Sequence, residues 1–113
     1  MHEMSIITSI LDIAEKEARA ADARVINSIE LEIGELAGIE VDSLMFCFEA
    51  ARRQTLAADG ELVIRSVPGR GRCLRCEKEV PVEGVAVATC PECDLIVDEY
   101  TGRELRVLSI NVD

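Results

Sequence analysis

Cys73-Leu74-Arg75-Cys76 and, 13 residues later, Cys90-Pro91-Glu92-Cys93 decide how this chain is read. Two Cys-x-x-Cys pairs at this separation can bring four thiolates to the corners of one tetrahedron, the arrangement of a closed structural zinc site. Each pair predicts a tight knuckle whose backbone N–H groups point at the sulfurs, and the spacer is long enough to make a hairpin and return. Two unrelated dithiols or a pair of disulfides would share the spacing. So would a rubredoxin-like iron site, because iron also accepts four thiolates. Such iron sites carry aromatic cover, and this chain offers only Phe46, Phe48 and Tyr100. Zinc is the preferred occupant.

Working outward, the chain before the cysteines alternates helical and extended periodicity. From residue 4 to about 21, Ile7, Ile10, Leu11, Ala14, Ala18 and Ala21 recur at three- and four-residue steps, which predicts an amphipathic helix. From Val25 to Leu36 the period changes to two, with Ile29, Leu31 and Ile33 on one face and Glu30, Glu32 and Gly34 on the other. That is a strand with an acidic face turned to solvent or to a partner. Asp42 or Ser43 is the expected N-cap of a second helix running to about Leu56, with Leu44, Met45, Phe48, Ala51 and Leu56 as its core stripe. Asp59-Gly60 signals a turn, and Leu62 and Ile64 belong to a second strand ending at Pro68-Gly69. Gly69 and Gly71, flanking Arg70, read as a hinge into the cysteine segment. Val80 to Ala88 reads as the arms of a hairpin around Gly84.

After Thr101-Gly102, Leu105, Val107 and Ser109 alternate with Arg106, Leu108 and Ile110 in a last strand, placed to pair antiparallel with the second. The expected fold class is α/β (α+β): a small sheet of about three strands with two helices, plus an inserted four-cysteine zinc-ribbon domain. Residues 1–69 and 101–113 form the α/β domain in this reading, and residues 70–100 the ribbon.

Composition narrows the function. The chain has 113 residues, enough for one ordinary core and one small appendage, and its formal net charge is -10. Loading zinc onto four cysteines adds roughly two further negative units. Nucleic-acid binding needs clustered Lys and Arg, and Arg70, Arg72, Arg75 and Lys78 lie among many carboxylates, so no nucleic-acid role is expected. No secretory or transmembrane segment fits, so no membrane association is expected; a reducing cytoplasmic location would keep the thiols free for metal. Cys47 is the odd cysteine and reads as a small buried hydrophobe. With one histidine, no Gly-x-Ser-x-Gly and no phosphate loop, no enzyme activity is expected.

That histidine is His2. The amine of Met1, the amide nitrogen of His2 and its imidazole can chelate one cation through fused rings, and a donor from Glu3 can complete a square plane. Nitrogen donors in that geometry suit Ni(II) and Cu(II).

Taken together, these motifs resemble the HypA/HybF nickel metallochaperones of [NiFe]-hydrogenase maturation over essentially the whole chain. The resemblance rests on Met1-His2-Glu3-Met4-Ser5, on Glu32-Ile33-Gly34-Glu35-Leu36 with a helix beginning near Val41, on the two cysteine pairs, and on Gly102-Arg103-Glu104-Leu105-Arg106-Val107. It implies transported Ni(II) bound at the N-terminus through His2 with a contribution from Glu3, beside the Met1 amine of the chelate above, and structural zinc on Cys73, Cys76, Cys90 and Cys93. It also implies work with a HypB-type GTPase and delivery to the hydrogenase large subunit, with urease maturation proteins as further partners in some members. A homodimer, joined by helix or strand edges or by segment exchange, is compatible with the sequence, and the face carrying Glu30 and Glu32 is a candidate surface for the GTPase. A zinc-ribbon adaptor binding a protein or nucleic acid, with no nickel role, is the alternative. The chain departs from the family where glycine often follows each knuckle. Here Glu77 and Asp94 take positions that favour left-handed backbone, which predicts a slightly strained first knuckle.

Overall fold

A computed structural model describes residues 2–82, 89–93 and 97–113, with backbone only for residues 98–100. Helix α1 spans Glu3–Ala20, strand β1 Ile26–Gly34 and helix α2 Val41–Ala51, which a short 3-10 turn extends over Arg52–Gln54. Strands β2 (Glu61–Val67), β3 (Arg70–Cys73), β4 (Glu79–Pro81), β5 (Val97–Thr101) and β6 (Leu105–Val112) follow. They form two three-stranded sheets, ordered β2-β1-β6 and β4-β3-β5.

The chain divides into two compact units. The first comprises residues 1–32, 39–65 and 106–113, and the second residues 33–38 and 66–105. In the first, the α1 stripe is buried as its periodicity requires at Ile7, Ile10, Leu11, Ala14 and Ala18, whereas Ala21, predicted to belong to it, lies just past the helix end and is exposed. The buried residues share a core with Ile26, Ile29 and Leu31 of β1 and with Leu44 and Phe48 of α2. Each of the larger side chains contributes about 1.5–3 kcal/mol by leaving water. Helix α1 stops without glycine. Asp22 takes φ 58°, and the amides of Ala23 and Asp22 donate to the carbonyls of Ala18 and Arg19, so a left-handed aspartate closes the last turn.

Several expectations need correction. Helix α2 begins at Val41, one residue before the predicted caps. Glu40 is its N-cap, without a side-chain cap hydrogen bond, and Asp42 sits inside the first turn, where its charge favours the helix dipole. The α-helix ends at Ala51, five residues short of Leu56, and Cys47 is half-buried and not a core residue. The segment read as a hinge is partly strand, since β3 starts at Arg70. The last strand does not pair with β2, because β1 lies between them. Val25 and Asp113 exchange backbone hydrogen bonds at 3.0 and 2.9 Å, and Arg106 pairs with Glu32, which fixes β6 antiparallel to β1. By contrast β1 and β2 run the same way, with Ile26 beside Gly60 and Glu30 beside Arg65. That order follows from the α2 crossover, which returns the chain parallel to β1. The hairpin predicted around Gly84 lies outside the described residues, apart from β4.

The acidic face of β1 is not a free carboxylate surface. Arg65 reaches Glu30 at 3.4 Å and Arg106 reaches Glu32 at 2.8 Å, each from a flanking strand.

Candidate metal centre

In the second unit, β3 is the central strand and ends on Cys73. It pairs antiparallel with β4, Arg70 to Gly71 and Arg72 facing Pro81, Val80 and Glu79, and with β5, Cys73 facing Val97. The chain then turns. Glu77 N–H donates to Cys73 O at 2.8 Å, Cys73 N–H donates to Lys78 O at 3.0 Å, and Cys76 N–H points at Cys73 Sγ from 3.4 Å. Glu77 takes φ 57°, the left-handed backbone expected of the residue after the knuckle, with a side chain that favours it poorly. Asp94, its counterpart, lies outside the described residues.

The second knuckle, Cys90 to Cys93, meets the first. All four sulfurs lie within 4.8 Å of one another, with Cys73 Sγ 3.4 Å from Cys93 Sγ and Cys90 Sγ 4.0 Å from Cys76 Sγ. A tetrahedral zinc site with bonds of about 2.3 Å has sulfur–sulfur edges of about 3.8 Å, so the cluster matches that size. Cys73 and Cys90 are buried, and Cys76 and Cys93 are half-buried. Lys78 reaches across from one knuckle to the other, its Nζ 3.0 and 3.2 Å from the two oxygens of Glu92. Sequence reading missed this clasp, although Lys78 and Glu92 each lie within two residues of a ligating position.

The electrostatics explain why such a cluster needs a cation. The Cys76 backbone N–H, assisted by hydrogen bonds from neighbouring thiols, pulls Cys73 from an ordinary thiol near 9 down to about 6, against the opposing effect of burial. Hydrogen bonds with Cys93 and Cys73, then burial, push Cys76 up to about 12. Cys73 and Cys76 are thereby driven apart, a thiolate at the first opposing one at the second. A divalent ion removes that conflict, which fits the donor set to zinc. The core of this unit is small: Val80, Val82 and Val97 around the buried sulfurs, with Leu36 packed against them. Those three valines supply about 5–9 kcal/mol by burial. A structural zinc held there would contribute about 10–16 kcal/mol of coupled binding and folding, more than the valines supply.

At the other end of the sequence, His2 is exposed and precedes α1 with extended backbone, φ -85° and ψ 104°, its carbonyl accepting Ile6 N–H at 3.3 Å. Glu3 is the first helical residue and is half-buried. Met1 lies outside the described residues. No helix among the described residues is long and apolar enough to cross a membrane.

Comparison with known proteins gives these features a context. The family model described as "Hydrogenase/urease nickel incorporation, metallochaperone, hypA" matches residues 1–112. A hydrogenase maturation factor HypA of Geobacter metallireducens is 45% identical over 114 aligned positions, covering 100% of both chains. One from Chlorobaculum tepidum is 46% identical with the same coverage. Among solved structures, the solution structure of the Ni metallochaperone HypA from Helicobacter pylori covers 99% of this chain and 97% of its own, with a TM-score of 0.67 at 24% identity, a likeness of fold. A second HypA solution structure matches at a TM-score of 0.70 and 25% identity, covering 99% and 96%. The chain belongs to the HypA family of nickel metallochaperones for hydrogenase maturation.

Proposed function

We propose that this chain takes up Ni(II) at its N-terminal residues and passes it to the large subunit of a [NiFe]-hydrogenase, while zinc on Cys73, Cys76, Cys90 and Cys93 holds the ribbon in shape. Residues 1–69 with 101–113 form the nickel-binding domain and residues 70–100 the zinc domain. The handover takes place in the cytoplasm with a HypB-type GTPase, and proteins of urease maturation are further partners. No bond is made or broken in a substrate, so the protein is not an enzyme.

One observation carries this reading. A family model for nickel incorporation spans residues 1–112, including the Met1-His2-Glu3 opening. The fold supports it, because His2 is exposed and stands ahead of the first helical turn, so its imidazole and amide nitrogen can approach a cation without unfolding α1. Glu3 follows as the first helical residue, its carboxylate available as a further donor. The sulfur cage has a different task. When bound there, zinc supplies a fixed positive centre and no reactive position. Cys73 and Cys90 close it off from water, and the Lys78–Glu92 clasp ties the two knuckles together.

Isothermal calorimetry on zinc-loaded protein with an unblocked Met1 amine should give one nickel equivalent. Affinity should be lost in His2→Ala and in protein with residues added before Met1. Unchanged nickel affinity in both would overturn the N-terminal site. Zinc-loaded protein with no nickel binding at all would favour an adaptor role.

A further inference from the structure

The sulfur cage has two unlike sides. Cys73 and Cys90 are buried among Val80, Val82 and Val97, whereas Cys76 and Cys93 are half-buried, so a competing ligand reaches the cage past the second pair. One of those two sulfurs belongs to each knuckle, and release through this side requires the knuckles to part. Lys78 follows Cys76 by two residues, and Glu92 precedes Cys93 by one. The ammonium meets both oxygens of the carboxylate, at 3.0 and 3.2 Å, and so joins the chain beside one half-buried sulfur to the chain beside the other. After Glu92, the thiolates of Cys76 and Cys90 attract the same ammonium. Four thiolates around one divalent ion leave roughly two negative charges, and Lys78 answers them together with the charge of Glu92.

We propose that the Lys78–Glu92 pair is the kinetic latch of the zinc cage, slowing release by keeping the half-buried sides of the two knuckles together. The inference rests on zinc as the occupant of the cage, and it assigns the rate of zinc loss to two residues that do not ligate the metal. Release from four thiolates proceeds sulfur by sulfur, as water or an incoming ligand takes each vacated position. Packing holds the buried pair, so Cys76 or Cys93 leaves first. With the latch closed, the freed sulfur stays within reach of the ion and returns. With it open, the knuckles separate and the next sulfur follows. Lys78 and Glu92 are thus positioning residues that act through Cys76 and Cys93. Both partners are exposed, which bounds the effect: losing such a pair on the way out changes a rate by about twofold to fivefold, and by less as salt screens it. Arg75 supplies an internal comparison, because it is an exposed cation in the same knuckle, one residue before Cys76, while Glu92 bonds to Lys78. If bare positive charge near the cage were what counted, Arg75 would serve as well as Lys78.

The test follows zinc release from zinc-loaded full-length chain to the chromogenic chelator pyridylazoresorcinol, at chelator concentrations high enough that the rate no longer depends on them. Lys78→Gln and Glu92→Gln should each release zinc about twofold to fivefold faster than the parent, and the double variant no faster than either single, because both remove the same contact. Lys78→Arg should keep the parent rate, and so should Arg75→Gln. Raising sodium chloride from about 0.02 to about 1 M should speed release from the parent and leave the double variant at its own rate. Each protein is also loaded with Co(II), whose visible absorption reports a tetrahedron of four thiolates; the same spectrum in every variant places the effect in exchange and not in the ligand set. A parent protein without that spectrum would overturn the zinc reading and the latch with it. With the spectrum intact, parent-like release from both single variants, single effects that multiply in the double variant, or an Arg75→Gln protein as fast as Lys78→Gln would each overturn the latch alone.

Discussion

Replacing Gly34 with alanine should destabilise the protein far more than a single methyl suggests. A Cβ built there falls on the carbonyl of Gly102 and lies 2.6 Å from the amide nitrogen of Arg103. Both obstacles are backbone, so no side chain can swing aside. Relief requires the segments around residues 34 and 102 to part, and two backbone hydrogen bonds join them: Gly34 N–H to Glu104 O at 2.8 Å and Leu36 N–H to Gly102 O at 2.6 Å. Overpacking costs about 1–3 kcal/mol and each weakened backbone bond about 1 kcal/mol, together about 3–5 kcal/mol. For a chain of this length that corresponds to a drop in Tm of about 12–20 °C. Gly38 supplies the control. It has φ 72° with nothing near its missing Cβ, so Gly38→Ala should cost only the left-handed backbone, about 1 kcal/mol or about 4 °C. Thermal unfolding of the zinc-loaded variants by far-UV circular dichroism compares the two. A Gly34→Ala protein melting within about 4 °C of the parent, or no lower than Gly38→Ala, would refute the argument from backbone contact.

Two further outcomes are expected. Removing zinc with a chelator should collapse amide dispersion for residues 70–82 and 89–93 while α1 retains its signals, since the three buried valines do not match the metal's share of the folding energy. Glu77→Gly should slow zinc loss by relieving left-handed strain of up to about 1 kcal/mol, and Glu77→Val should hasten it. Equal release rates for all three proteins in a chromogenic zinc assay would disprove that account of the first knuckle.

Much of this architecture was legible because short-range physics dictates it. The α1 stripe declares a helix, the alternation of Ile29, Leu31 and Ile33 declares a strand, and the paired cysteines declare a cage. Partner choice was not legible. Alternation in β6 marks it as a strand, but nothing in its period says that β1 lies between it and β2. The cap of α2 was misplaced, because Asp42 and Ser43 carry the stronger local signal while Glu40 fills the position without a side-chain bond; the family resemblance put the helix start near Val41, where it lies. The pairing of Glu30 and Glu32 with Arg65 and Arg106 was equally hidden, because the partners lie 35 and 74 residues away. At the metal centre the sequence identified every sulfur. It did not disclose the Lys78–Glu92 clasp, since opposite charges in a carboxylate-rich chain are too common to single out one pair.

The position of β6 beside β1 also sets a timetable for a nascent polypeptide. The last strand made must find one of the first, and residues 68–104 intervene between β2 and β6. Capturing a metal ion pins Cys73 against Cys93 and shortens the slack that the terminal strand must overcome, an entropic saving of about 1 kcal/mol. Zinc supplied during translation would thereby influence how quickly the first unit is completed, although none of the four cysteines belongs to it.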